Sequence, residues 1–392
     1  MSKKIFSFFL FIVAITAIQD VFIPENSPLR PLTVITQAFG VLACIYSFFN
    51  FIKQDDKYFF GFNVWLTLFI VMLTSYALFN PLQINNYSKV LYSILPFFIF
   101  YNASRLGISL EKKLQKFSIF VLIISVYDLY LGFFKRQEEY GELMNVADNI
   151  SYQLLAIMVV IATLKPKKIN FILFIIAFMA ILFSLKRGAI VASVLLVIYY
   201  LIQNIKNNKS SLAKIKVITI ISFVIFSIVL GLIKYSEILL YRFIREENTS
   251  GSGRTDNYMG IINDWLEFPF IFKITGKGFF SLGDGLTYAH SDWFQLLYDH
   301  GLIGVVLFTF VLVSLFNIRK KIKKVYYSKY YIFIGICLVI FLKSIFSGTY
   351  MTKFDAIIYG VLGGILGELF VLIKKQHNKP SIIIKKTVKN TK

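Results

Sequence analysis

The sequence predicts an all-α polytopic membrane protein with about twelve transmembrane helices and one large outward loop between the ninth and the tenth. Three observations predict it. Of 392 residues, 57% are hydrophobic and only 16% charged, with a mean hydropathy of +0.68, and a soluble domain of that composition would be coated in exposed apolar surface. Apolar runs of roughly 17 to 22 residues recur about twelve times, the length that crosses about 30 Å of hydrocarbon at about 1.5 Å per residue. One hydrophilic stretch, from Lys234 to about Ser291 within the loop 234–301, collects arginines, carboxylates and a histidine.

In chain order the spans lie near 5–22, 33–52, 58–79, 88–104, 117–134, 150–164, 169–185, 188–203, 215–233, 302–318, 330–346 and 354–373. The first follows Ser2-Lys3-Lys4 like the start of a signal peptide. It lacks a small-x-small cleavage site and leads straight into another span, so it is expected to stay as a helix. The sixth is short. No internal repeat of the kind that marks many secondary transporters divides the chain, which reads as one integral membrane domain, 1–392.

Charge placement orients the helices. Segments 1–4, 53–57, 105–116, 165–168, 204–216, 319–329 and 374–392 hold 28 of the 42 basic residues but only 3 of the 21 acidic ones. Lysine and arginine in short loops are retained on the cytoplasmic side, so both termini and the basic tail 374–392 are expected inside. The net charge of +21 is therefore a topology signal and not a nucleic-acid footprint; no nucleic-acid partner is expected. The tail could also touch anionic headgroups of membrane lipid.

Several chemistries lack their residues. Cys44 and Cys337 fall inside predicted helices, where a thiol behaves as a small apolar group. His290, His300 and His377 have no spacing that gathers zinc ligands, and neither a D-x-D pair nor a P-loop occurs. The expected reaction runs without nucleotide, metal or other cofactor.

Within the long loop, Arg254-Thr255-Asp256-Asn257 leads into Tyr258, Ile261, Ile262, Trp265 and Phe268, the i, i+3, i+4, i+7 spacing of an amphipathic helix that Pro269 limits. Gly276-Lys277-Gly278 reads as a flexible turn. Ala289-His290-Ser291-Asp292 then opens a second helix, with Ser291 as N-cap and Trp293, Phe294, Leu296 and Leu297 on its buried side; Gly301 is expected to end it. His290 and Asp292 thus stand at a helix N-terminus, where free N–H groups favour anions. His300 is expected beside the C-terminal carbonyls of the same helix. Trp265, Trp293 and Tyr288 read either as interfacial anchors or as sugar-stacking surfaces, and Asp128 and Glu368 as buried polar partners.

A second constellation is Ser184-Leu185-Lys186-Arg187-Gly188-Ala189, a basic pair between two apolar spans on the outer face. One reading is a short turn whose cations snorkel to water. The other is an anionic partner, because outward loops tend to avoid basic residues and arginine grips phosphate in bidentate fashion.

Together these residues bring a family into view. Ser184-Leu185-Lys186-Arg187-Gly188-Ala189 resembles the S-x-x-R-G-A turn of the O-antigen ligase and polymerase superfamily. Gly276-Lys277-Gly278 followed by the run His290-Ser291-Asp292-Trp293-Phe294-Gln295-Leu296 and onward to Gly304 resembles its H-[NS]-x-x-L-Q-x-L-x-x-x-G-x-x-G block. Arg254 matches the loop arginine that the family carries ahead of its histidine. The match covers about residues 170–320 and departs at Ser291-Asp292, where ligase-like members more often show asparagine after the histidine.

The resemblance implies a GT-C-like glycosyltransferase at the outer face of a bacterial inner membrane, where nucleotide sugars are absent and the donor must carry its own leaving group. An undecaprenyl pyrophosphate-linked oligosaccharide does so, and a chain-length regulator is a further candidate partner. Implied roles are a pyrophosphate clamp for Arg187 and Arg254, a general base for His290, with which Asp292 could share the task, and substrate contacts for Lys186, Lys277, Gly278 and Trp293. Without the surrounding block, His290 reads as readily as a polar helix cap. Ser-Asp after His290 resembles polymerases somewhat better than ligases. A ligase passing glycan to lipid A-core, and a flippase for lipid-linked sugars, remain alternatives; a flippase should show charges deep in many spans.

Overall fold

The structure is a computed structural model that describes residues 2–23, 27–52, 84–140, 150–184, 186–207, 254–281, 289–350 and 355–377. Among the described residues all regular structure is helical. In order these are α1 (Ser2–Phe22), α2 (Arg30–Ile52), α3 (Ile84–Ile94), α4 (Pro96–Arg105), α5 (Glu111–Tyr140), α6 (Ile150–Thr163), α7 (Lys168–Phe183) and α8 (Arg187–Asn207). After the gap come α9 (Arg254–Glu267), α10 (Phe270–Thr275), α11 (Asp292–Val325), a 3₁₀ turn at Tyr327–Lys329, α12 (Tyr330–Phe346) and α13 (Asp355–His377).

Seven helices are long and apolar enough to cross a membrane: α1, α2, α5, α8, α11, α12 with its preceding 3₁₀ turn, and α13. Helices α6 and α7 are apolar but shorter, at 14 and 16 residues. The expected spans 58–79 and 215–233 lie outside the described residues, as do most of the tail and loop residues 234–253. The expected span 88–104 differs: Pro96 lacks the N–H that a continuous helix needs, and the run divides at Leu95 into α3 and α4.

Phe11, Phe39 and Leu42 remain more than half exposed on α1 and α2, on surface that suits hydrocarbon and not water. Helix α13 sits deepest and packs along α4. A Cβ at Gly363 would stand 2.1 Å from the Phe97 carbonyl oxygen, and one at Gly367 2.5 Å from that of Tyr101. This small-x-x-x-small pair lets the two backbones touch where a larger side chain would hold them apart. Cys44 and Cys337 are buried free thiols inside α2 and α12, as expected.

Helices α8 and α12 run antiparallel and define the two ends of the bundle. At one end Gly188 meets Phe346, where a Cβ would fall 3.1 Å from the ring's own Cβ. At the other, the Asn207 side chain donates to the Ser328 carbonyl at 3.4 Å. The candidate site lies at the first end.

Candidate active site

Helix α11 carries the histidine block, and its backbone explains the block's shape. Gly301 takes φ 60° and ψ −157° inside it, a conformation open to glycine. The break leaves carbonyls without helical donors, and the Gly-Lys-Gly strap supplies them. The Lys277 N–H donates to the Tyr298 carbonyl at 3.1 Å and the Gly278 N–H to that of Asp299 at 2.9 Å. The fit is close: a Cβ at Gly276 would lie 2.2 Å from the Asp299 backbone, and one at Gly301 2.4 Å from the Ile274 carbonyl oxygen. Gly301 therefore breaks the helix without ending it, and 276–278 is a fitted strap instead of a flexible turn. The Lys277 ammonium lies 4.2 Å from the Phe268 ring centroid and stays exposed at the rim.

Two side chains one helical turn apart on α11 tie down the segment before the histidine. Asp299 accepts the Phe280 N–H at 3.0 Å and the Gln295 amide at 2.9 Å. Gln295 in turn accepts the Ala289 N–H through its side-chain oxygen at 3.1 Å. Residues on both sides of 282–288 are thus fixed to the same helix face.

His290 follows directly, exposed and at φ 50°. A left-handed histidine costs on the order of 1–3 kcal/mol and persists where its neighbours over-determine it. Those neighbours are Ala289, held by Gln295, and Ser291 with Asp292. Ser291 occupies the N-cap position but makes no side-chain cap bond; its hydroxyl reaches the Ser344 carbonyl at 3.4 Å. Asp292 is fully buried, and its two oxygens accept the Thr349 N–H at 3.0 and 2.8 Å, one also taking the Thr349 hydroxyl at 2.6 Å. Tyr359 completes the line by donating to that hydroxyl oxygen at 3.1 Å.

The last turn of α12 joins this segment to the basic turn. Trp293 donates its indole N–H to the Ser344 hydroxyl at 3.1 Å, an internal role, and Phe346 packs on Gly188 beside Arg187. Ser184–Lys186 do connect two apolar helices, with Arg187 exposed at the first residue of α8. The Tyr152 ring lies beneath two ammonium groups, that of Lys186 at 6.0 Å and that of Lys343 at 4.9 Å from its centroid. Lys343 is buried and paired with both oxygens of Asp355 at 2.6 and 2.7 Å, and it donates to the Gly348 carbonyl at 3.0 Å. Its charge is compensated inside the bundle, whereas Arg187 is exposed and Lys186 half-buried.

The expected amphipathic helix is α9, and its apolar face is the expected one. Ile261 and Phe268 are buried with Ala289 and Tyr298, while Tyr258 and Trp265 pack around them. Tyr258 stacks on Phe294 at 4.3 Å, and Phe268 meets Tyr298 edge-on at 5.1 Å. The two contacts run in the same order along both helices, so α9 lies with its N-terminus towards that of α11. Arg254 opens α9, one turn before Tyr258; its side chain lies outside the described atoms.

Not every remaining residue keeps its sequence reading. His300 is buried, and neither ring nitrogen has a hydrogen-bond partner among the described residues, so it does not cap the helix carbonyls there. Trp265 donates to the Lys273 carbonyl at 3.2 Å, while Tyr288 falls outside the described residues. Glu368 accepts the Tyr326 hydroxyl at 2.6 Å, and Asp128 is half-buried on α5. Sequence reasoning missed Lys343, Asp355, Gln295 and Asp299. The first two were findable as opposite charges at the ends of apolar runs, whereas the second pair needed the fold. Among the described residues no three His, Cys, Asp or Glu side chains gather as a metal-binding group.

No curated protein matches the chain. Residues 172–309, from within α7 to within α11 and so including the basic turn, α9, the strap and the histidine segment, match the family model described as O-antigen ligase, and over that part the chain is similar to the O-antigen ligase and polymerase superfamily.

Proposed function

We propose that the protein is a surface-polysaccharide polymerase, an inverting glycosyltransferase that moves an undecaprenyl pyrophosphate-linked glycan onto the next lipid-linked repeat unit at the outer face of a bacterial inner membrane, with both termini cytoplasmic. The observation that carries this reading is the junction at the end of α12, where Ser344 holds the histidine segment and Phe346 holds Gly188 of the basic turn. It supports one site with a cationic side and a histidine side.

Arg187 and Arg254 would grip the pyrophosphate and stabilise the charge that grows on it as the glycosidic bond breaks, an electrostatic contribution of about 3 kcal/mol per well-placed group. Lys186 and Lys277 would add to the field at the rim. His290, exposed and fixed in backbone, would take the proton from the attacking sugar hydroxyl, worth about 10²–10⁴ in rate. The acceptor hydroxyl attacks the anomeric carbon, the pyrophosphate leaves, and one inversion results. Asp292 is assigned to hold the His290 backbone through Thr349 and not to share the proton.

A second reading is the ligase, which the description of the matching family names. The test is a gel of surface polysaccharide from the native host with the gene deleted, beside the parent and a His290→Ala complement. A lost ladder with a single repeat unit still attached to its final lipid supports the polymerase. Full-length glycan accumulating on undecaprenyl pyrophosphate supports the ligase and overturns the first reading.

A further inference from the structure

A cavity of about 430 Å³, inside the range of ligand pockets, lies at the end of the bundle away from His290. Its walls are apolar at Phe100, Ile365 and Leu372, and its mouth carries both signs of charge: Glu111 and Glu368, Lys165 and Lys329. Lys329 is committed, its ammonium reaching the Thr163 carbonyl. Lys165 is not: its side chain is 76% exposed and its contact to Glu111 is 3.4 Å, an ion pair that water screens and a phosphate can displace. On the acidic side Glu368 accepts the Tyr326 hydroxyl, which burial and then the neighbouring carboxylate hold well above the usual phenol range, so it remains a donor.

Two further observations mark a built site. The Ser104 hydroxyl lines the cavity, is buried, and has no hydrogen-bond partner among the described residues. Gly364 also opens onto it. Unlike Gly363 and Gly367, which press on the α4 backbone, a Cβ at Gly364 would have 3.5 Å to the Ser104 hydroxyl and 3.9 Å to its next neighbours. Glycine there holds space open that close helix packing does not need.

We propose that this cavity binds one phospholipid whose headgroup joins a primary ammonium to a phosphodiester. The ammonium lies against Glu368, the phosphate against Lys165, Ser104 donates to a headgroup oxygen, and the acyl chains follow the apolar wall. Phosphatidylethanolamine has this headgroup. Phosphatidylglycerol lacks the cation, and phosphatidylcholine lacks ammonium hydrogens to donate.

The test is native mass spectrometry of the full chain after incubation with an equimolar mixture of these three lipids carrying identical acyl chains. One phosphatidylethanolamine per chain should be retained with about tenfold preference over the other two. Glu368→Gln and Gly364→Leu should each lower that occupancy about tenfold, whereas Lys321→Ala, an exposed charge on the same helical end, should not. Gly364→Ala, for which there is room, gives an intermediate loss and keeps the test valid should the leucine variant fail to fold. Equal retention of the three lipids, preference for phosphatidylglycerol, or undiminished occupancy in Glu368→Gln overturns the proposal.

Discussion

Asp292 and Thr349 form a polar latch at the end of the bundle that carries His290, with the carboxylate accepting both the backbone N–H and the hydroxyl of the threonine. The latch fastens the first residue of α11 to the turn after α12, and the exposed histidine lies two residues upstream of it. Asp292→Ala leaves two buried donors without an acceptor, at a cost of about 1–3 kcal/mol each. Thermal unfolding in detergent should show that loss, with activity falling alongside it. An alanine variant as stable as wild type yet inactive would instead give Asp292 a part in the chemistry.

Arg187→Ala, Arg254→Ala and His290→Ala should each reduce product by about 10²-fold or more while the protein still inserts and unfolds normally. Immunoblots of membranes and the polysaccharide gel check this together. Wild-type product from any one of them removes that residue from the mechanism.

Gly301→Ala should destabilise strongly, because it combines a left-handed φ with a Cβ 2.4 Å from the Ile274 carbonyl oxygen. The backbone alone contributes about 1–3 kcal/mol. Gly276→Ala, aimed at the Asp299 backbone from the opposite side, should do the same. Folded yield by size-exclusion chromatography reads both.

Removing one partner of the Lys343–Asp355 pair should cost about 3–5 kcal/mol, since the other is left charged and buried. Lys343→Met with Asp355→Leu should recover much of it. A double variant no better than the single ones would show that Lys343 matters chiefly through Gly348 and Tyr152.

Gly363→Ala and Gly367→Ala should lower stability by forcing α13 away from α4, while Gly364→Ala on the same helix should be nearly neutral. Chemical denaturation of the three variants side by side distinguishes a spaced contact pair from a general need for glycine.

Much of this architecture was legible because lipid leaves the chain few choices: apolar runs of sufficient length must become helices, and α1, α2, α8 and α12 do so close to the expected limits. The face of α9 was legible for the same reason, a period set by helix geometry. Three things were not. Pro96 splits a run whose hydropathy is continuous. The Gly301 kink looks like a helix end, because a glycine in that position cannot announce that a distant strap will satisfy the broken carbonyls. The Gln295–Asp299 clamp joins residues whose shared helix face is apparent but whose backbone partners at Phe280 and Ala289 are not. Local pattern shows which groups need partners, and only the assembled helices show which partners they find.

The kinked α11 has a mechanical meaning for the proposed reaction. Its first turn follows close on the exposed histidine, and the whole element runs 34 residues into the bundle, so in the proposed reaction that position would be indexed to a fixed depth instead of riding on a loop. The proposed donor, anchored by its own lipid tail, would be referenced to that same plane. Under the proposed function, polymer already made would trail away to any length while the end being joined would always meet the protein at one height.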